Sequence, residues 1–306
     1  MKPLSKKTRR ISWALLFLIF VAISPFILSY SFGYRFDDEG IVKTGGIYVH
    51  SDVSDTEVFV DGEYIKNNGV WMRNVLVQTL NPDVVHSVEM HKDGYHSWTK
   101  KLSVAEGMVT EVYALMLPTS IKTMATYPAI DAQGNGTTTL GLVNKAPQKT
   151  YTVIESLFAV SDVAQNASTT PSDILDALAL HGVTDVADLV NFEIVGDQVA
   201  WLEDGNVIVT WANERETTPF YFCTVTNCRD QIVLDWDTDI VRFAFMPERS
   251  DVLLVLNNEG LWAVEIDDRS ERNIQPVYLG ASLDFRINEN DRIVVSDSGV
   301  FFELRI

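Results

Sequence analysis

Five histidines, two cysteines and forty-two acidic residues are the raw material for chemistry in this chain of 306 residues. The densest cluster is "MHKDGYHSWTKKLSV", Met90 to Val104, where His91, His96, Lys92, Lys100, Lys101, Tyr95 and Trp98 crowd around Asp93-Gly94. Such a mixture suits a metal site, a ligand-stacking edge or a strand corner. The spacing weighs against the metal, because His86 and His91 stand an odd number of residues apart and an extended chain sends them to opposite faces. His50 would have to come from another strand, and His181 beside Gly182 reads as the C-terminal residue of a helix, favourable to its dipole. "LDWDTD" sets Asp235, Asp237 and Asp239 at alternate positions like the start of a calcium loop. The sixth and twelfth positions are Ile240 and Met246 where such a loop needs Gly and Glu, so an EF-hand is rejected and the three aspartates are expected to form a solvated acidic face.

No nucleophile elbow, zinc-protease, Walker or dinucleotide fingerprint is present, and no Cys/His pair supports nucleophilic catalysis. Acidic pairs such as Glu265 with Asp267, or Asp268 nearby, are material for a glycosidase-like site, although strand-end polar residues are the expected reading. The expectation is therefore no catalytic residue, no metal ligand set and no cofactor. The alternative is an extracytoplasmic hydrolase or lyase that uses acidic residues, with or without Ca²⁺. Cys223 and Cys228 have C-x4-C spacing, which is neither a zinc nor a redox motif, so they read as a disulfide stapling a tight hairpin.

The elements around these residues begin with "MKPLSKKTRR", five basic residues and no acidic one, so that the −18 of the whole chain becomes −23 on the remaining 296 residues. A body that acidic repels phosphate backbones, which excludes an electrostatically driven nucleic-acid role. Ile11 to Tyr34 follows without a charged side chain. As a helix its 24 residues reach about 36 Å, enough for the roughly 30 Å hydrocarbon layer. The run is longer than a signal-peptide core and ends in Tyr30, Phe32, Tyr34 and Phe36, rings that suit a membrane interface. Basic residues before it and Asp37, Asp38 and Glu39 after it place the N-terminus in the cytoplasm and the rest outside.

Residues 35–44 read as a linker, and 45–118 as a compact all-β unit with Asp61-Gly62 and Asp93-Gly94 as its turns. The order G-x-Φ-x-V-x-S, V-x-V-D-G, H-x-V-x-Φ-x-K-D-G-Y-x-x-W and L-x-L-P across this unit resembles the PEGA domain of bacterial surface proteins, with Val53 to Thr56 standing where the name-giving tetrad belongs. The resemblance implies a small β-sandwich without known catalytic residues. In it Tyr95 and Trp98 pack at the corner, Lys92, Lys100 and Lys101 stay in solvent, and the edge formed by Tyr95, His96 and Trp98 is the candidate surface contact.

Residues 119–306 carry three echoing segments, from Phe192, Phe243 and Phe285, each reading strand, turn, strand, turn with Gly, strand. Their pivots Gly205, Gly260 and Gly299 lie 55 and 39 residues apart, the period of β-propeller blades. The second copy is similar to the repeat of TolB-like and WD40-like proteins, with Met246-Pro247-Glu248-Arg249 in place of the usual turn tetrad. The length gives a small, irregular, open or partner-completed ring. "TTPSDILDALALHGVTDVADLV" breaks the β pattern: Ser172 or Asp173 caps a short helix with Ile174, Leu175 and Leu178 on one face, an insertion near 172–190. The fold expected is mainly β: transmembrane helix, PEGA-like sandwich, propeller-like domain with a helical insertion. The function expected is a membrane-anchored, extracytoplasmic, non-catalytic binding or scaffold protein of the bacterial envelope, with protein or glycan partners.

Overall fold

The computed structural model describes residues 6–37, 40–69, 73–82, 84–127, 157–158, 178–179, 190–213, 218–224, 227–236 and 238–306. A single long helix, α1 (Lys6–Ser31), starts within the basic stretch, and every one of its large apolar side chains is exposed. It is long and apolar enough to cross a membrane. Pro25 lies inside it. The linker expected over 35–44 is instead a two-stranded ribbon, β1 (Tyr34–Asp37) with β2 (Gly40–Lys43).

Two sheets follow. β3 (Gly45–Ser51) lies between β6 (Val75–Leu80) and β9 (Val109–Ala114), parallel to the latter. The second sheet has the order β5 (Glu63–Asn67), β4 (Glu57–Val60), β7 (Val85–His91), β8 (Trp98–Ser103). Alternation decides what faces inward: Ile47 and Val49 on β3, Val88 and Met90 on β7, and Trp98 and Leu102 on β8 meet in one core. The β4–β5 link has Asp61 at φ 52° and Gly62 at φ 80°, the paired left-handed conformations of a type I′ hairpin, which Asp-Gly supplies with little strain.

The rest is built from three four-stranded antiparallel meanders. The first runs β11 (Val190–Val195), β12 (Gln198–Glu203), β13 (Asn206–Trp211), β14 (Gln231–Leu234). The second runs β15 (Arg242–Met246), β16 (Arg249–Leu256), β17 (Gly260–Glu265), β18 (Ile274–Leu279). In the third, β19 (Leu283–Ile287), β20 (Ile293–Asp297) and β21 (Val300–Arg305) are completed by β10 (Lys122–Tyr127), which pairs with β21 from the far end of the sequence.

The middle meander is buried on both faces, which is why "VLLVL" reads as an unbroken apolar run. Val252, Leu254 and Leu256 point into a core shared with the sandwich and with Phe285, Val295 and Leu304 of the third sheet. Leu253 and Val255 point the other way, against Val207, Val209 and Ile232 of the first. The three pivot glycines serve two purposes. Gly205 and Gly299 sit at φ 81° and 82° in type I′ turns after Asp204 and Ser298. Gly260 is needed for close approach, since a Cβ there would lie 2.6 Å from the Tyr278 carbonyl oxygen. Pro276 is placed on β18, an edge strand, at a register shift where no ladder donor is required.

The predicted helix near 172–190 lies almost wholly outside the described residues. Leu178 and Ala179 are helical, and Leu178 is buried against Phe192, Val199, Trp201 and Ile208 on the outer face of the first meander. Phe158 packs in turn on Phe301 of the third sheet, ring centroids 5.1 Å apart.

Candidate functional site at the junction of the β units

The edge strand β8 and the chain after the edge strand β9 lie against the hairpin of β17 and β18, and the seam is polar. β8 sets Trp98, Lys100 and Leu102 on one face, so a lysine occupies a core position. Its side chain is wholly buried, with Nζ donating to Glu265 Oε2 at 3.0 Å and to the Asp267 carbonyl at 2.5 Å. Glu265 gathers further donors: the Trp98 indole and the Leu115 N–H on Oε1, the latter at 3.3 Å, and the Asn273 amide on Oε2 at 3.1 Å. Burial holds the Glu265 carboxyl above its ordinary value, with Lys100, Asn273 and Trp98 offsetting only part of that rise; when it is ionised, every donor on its two oxygens is paired.

Two amides on β18 and its approach act as substitutes for a neighbouring strand. Asn273 accepts from the Thr99 N–H at 3.3 Å and donates to the Thr99 carbonyl at 3.0 Å, while Ser270 Oγ takes the Lys101 N–H at 3.1 Å. Gln275 does the same for the chain beyond β9, accepting from the Leu117 N–H at 2.7 Å and donating to the Leu115 carbonyl at 2.6 Å. The exposed edge of β8 is thereby paired without a ladder.

A third anchor is Arg249, the last residue of the turn Met246-Pro247-Glu248-Arg249. Its guanidinium meets Asp251 in a fork, at 2.6 and 2.7 Å, reaches Asp52 of the sandwich at 2.9 Å, and lies 3.5 Å from the ring centroid of Tyr113. Burial alone would lower the Arg249 pKa; the bond to Asp251 and the charges of Asp251 and Asp52 raise it instead. Burial and the hydrogen bond to Asp52 push the Tyr113 hydroxyl above its ordinary value, so Tyr113 stays a neutral donor.

Around this anchor the surface is hollow. A cleft of about 870 Å³ lies between the sandwich and the meanders, lined by Tyr95, Asp52, Tyr113, Glu248, Arg249 and Arg292 among others. A second, open hollow of about 680 Å³ covers the outer face of the three-stranded sheet, with Tyr48, His50, Leu76 and Asn74 on its wall. Both share Asp52 and Tyr113, so they meet there. The rings along it are in contact: Tyr48 and His50 edge to face at 4.6 Å, His50 and Tyr113 tilted at 5.7 Å. The Asn74 amide donates to the Tyr48 hydroxyl at 3.1 Å.

The sequence-derived site residues fare unequally. Trp98 is fully buried on Glu265 and does not contribute to a surface contact; its face is set by the same alternation that buries Leu102. Lys100, expected in solvent, is buried for the same reason. Tyr95 is half-buried and lines the cleft, and His96 is half-buried with its N–H on the Leu117 carbonyl at 2.8 Å. Cys223 and Cys228 stand at disulfide-bonding distance across a hairpin, Cα to Cα 3.9 Å. His86 turns inward, its ring nitrogens 2.7 Å from Asp61 and 2.8 Å from the Asn81 carbonyl, whereas His91 faces Ser97 and Glu89. His50 belongs to the hollow, and His181 lies outside the described residues. Among those residues no three His, Cys, Asp or Glu side chains are grouped to hold a metal ion. Asp235 lies past the end of β14 and pairs with Arg272 at 3.4 Å, while Asp237 is not among the described residues. Asp267 is clamped by Arg269 at 2.8 Å; burial would raise its carboxyl, but Arg269 and Lys100 hold it below its usual range.

Arg249 and Glu265 carry the junction and escape a reading by motif. The available signal for Lys100 is its period-two register with Trp98 and Leu102. For Arg249 it is the two-residue step to Asp251, which places both on one face at the polar start of a strand that continues as the apolar run Val252 to Leu256.

No family model matches the chain, and no curated protein matches it. Among solved structures, the AfRom2 CNH domain is similar at 12% identity and a TM-score of 0.24, covering 78% of this chain and 69% of its own. A protein of unknown function from Bacteroides fragilis, described as membrane-associated, is similar at 9% identity and a TM-score of 0.20, covering 86% of this chain and 94% of its own. At those scores neither likeness assigns a fold.

Proposed function

We propose that the chain is a membrane-anchored, non-catalytic binding or scaffold protein of the bacterial cell envelope, N-terminus cytoplasmic, with the β units outside and the groove around Tyr113 as its contact surface. The observation that carries this reading is the buried junction: Lys100, Glu265, Asn273, Gln275 and Arg249 lock the sandwich to the second meander and hold two hollows in one continuous groove. A groove with fixed walls binds without first having to order them. Its half-buried rings beside an amide, a carboxylate and a guanidinium suit an envelope glycan or an extended peptide, ligands with apolar faces and many hydrogen-bonding groups. The acidic residues offered for a hydrolase, Glu265 and Asp267, are engaged inside the junction by Lys100 and Arg269.

The PEGA-like and propeller-like readings belong to the same proposal. Two packed sheets with Asp61-Gly62 and Asp93-Gly94 turns support the first. For the second, three successive four-stranded sheets and the completion of the last one by β10 support propeller-like blades in a small or incomplete ring. The experiment is photocrosslinking in native membranes from Tyr48 and from His50, with isolated cell-wall glycan as a second bait. Capture from these positions, weakened in Tyr48→Ala, is the expected outcome. Labelling no greater than from Asp204, exposed in the β12–β13 turn of the first meander, removes the groove as the contact surface. Protease applied outside spheroplasts should digest 45–306, and protection of that region overturns the orientation.

A further inference from the structure

The sandwich is fastened to the end of α1 by a chain of hydrogen bonds. The Gly33 carbonyl, two residues past the helix, accepts from the Thr44 N–H and hydroxyl, both at 2.9 Å. The Thr44 carbonyl accepts from the Gly107 N–H at 3.0 Å, and the Met108 carbonyl accepts from the Gly46 N–H at 3.0 Å. Gly33 and Gly107 both have positive φ, 83° and 65°, a backbone conformation that favours glycine at both positions. Arg35 adds a clasp, donating to the Tyr30 carbonyl at 2.8 Å with its guanidinium 3.7 Å from the Tyr30 ring centroid. The helix does not lead into a loose tether.

Strand register then says which end of the sandwich is held there. Gly45 is opposite Leu80, and Val85 is opposite Ser103, so the 80–85 and 103–109 connections share the end that carries Gly45 and the helix. That end is apolar and open: Met108 is 59% exposed, Val109 52%, Val85 57% and Val84 48%. Tyr30 and Phe32 at the helix exit are each 65% exposed. A 26-residue helix is about 39 Å long against a hydrocarbon layer of about 30 Å, which sets its last turn, and what is bonded to it, in the headgroup zone.

We propose that this end of the sandwich is a membrane-docking surface, with Met108, Val109, Val84 and Val85 seated in the headgroup and upper acyl region of the phospholipid layer beside the helix exit. The proposal rests on α1 spanning the membrane. The occupant follows from continuity: Met108 and Val109 line one hollow with Tyr30 and Phe32, strand register puts Val84 and Val85 at the same end of the sandwich, and apolar groups held at that depth gain by leaving water. The β units then stand on the bilayer in one orientation, with the Asp93-Gly94 turn at the opposite end of β7.

The test uses the full chain in nanodiscs of phosphatidylcholine and phosphatidylglycerol, with an environment-sensitive fluorophore on one introduced cysteine: M108C, V85C, D93C or F20C. Quenching by lipids spin-labelled near the headgroup should be severalfold greater at positions 108 and 85 than at 93, and position 20 should be quenched by lipids labelled deep in the acyl chain. Quenching at 20 with positions 108 and 85 no more quenched than 93 overturns the docking surface and leaves the anchor standing. No quenching at 20 overturns the spanning helix, and the docking surface with it.

Discussion

Lys100→Met tests the junction directly. Methionine is close to lysine in volume, so the wall of the core is kept and the ammonium alone is removed. In the native seam Nζ contacts Glu265 Oε2 at 3.0 Å and the Asp267 carbonyl at 2.5 Å, with the lysine side chain wholly buried. Leaving one partner of a buried ion pair behind costs about 3–5 kcal/mol. The remaining donors on Glu265, from Trp98, Leu115 and Asn273, set the expectation at about 4 kcal/mol within that range. Because one core joins the sandwich to the second and third meanders, those units should unfold together. With a urea slope of about 3 kcal/mol per M, the midpoint of the full chain in detergent micelles, followed by tryptophan fluorescence, should fall by about 1.3 M. Glu265→Gln keeps an acceptor for Trp98 and Leu115 but faces the ammonium with a neutral amide. The double variant should therefore be less destabilised than the sum of the singles by about 1–3 kcal/mol. Additivity within about 0.5 kcal/mol, or a midpoint shift below about 0.3 M for Lys100→Met, refutes the coupling.

Asn273→Ala strips the amide from the β8 edge. Water takes over the hydrogen bonds of the exposed Thr99, but the buried Glu265 Oε2 also loses a donor, so the loss should be about 1–3 kcal/mol, and the freed edge should show as self-association in sedimentation velocity. Gly260→Ala forces a Cβ to 2.6 Å from the Tyr278 carbonyl and should cost about 1–3 kcal/mol by thermal denaturation, with no comparable loss for Gly280→Ala, which meets only the mobile Leu283 side chain at 3.0 Å. Burial pushes the Asp61 carboxyl up, but the His86 ring and the Ser87 N–H outweigh it and hold it below its ordinary value. Its stabilising contribution is therefore complete above the unfolded carboxyl's titration and is lost as pH falls through the lower folded value. Asp61→Asn should remove that share of the acid limb, under about 1 kcal/mol because the group is half exposed.

The turns were the most legible part of this fold. Asp61-Gly62, Asp204-Gly205 and Ser298-Gly299 are short-range signals, because a hairpin needing two left-handed residues admits few residue pairs, and all three occur where the sequence places them. The long apolar helix was equally legible from its composition. The junction was not, since it depends on which strand of one unit meets which hairpin of the other. Asn273 and Gln275 look like surface amides until the edge of β8 is brought against them. Glu265 and Asp267 look like a carboxylate pair until Lys100 arrives from the sandwich and Arg269, two residues on, folds back onto Asp267.

Lys100 marks the boundary between the two cases. Its register alone puts it on the buried face with Trp98 and Leu102, but the habit that lysine belongs in water argues against that position, and nothing local resolves the conflict. The resolution is 165 residues away in Glu265. A charged side chain at an inward position of a strictly alternating strand is therefore better read as a demand for a partner than as an error in the alternation. In a chain of several β units, that partner marks where the units meet. Here the same logic finds Arg249, a buried cation two residues before the buried Asp251 at the start of β16, which ties the turn it closes to Asp52 and Tyr113 of the sandwich. The groove proposed for ligand contact is the space left beside those two anchors, so the residues that fix its shape are ones the sequence flags by their misplaced charge rather than by any motif.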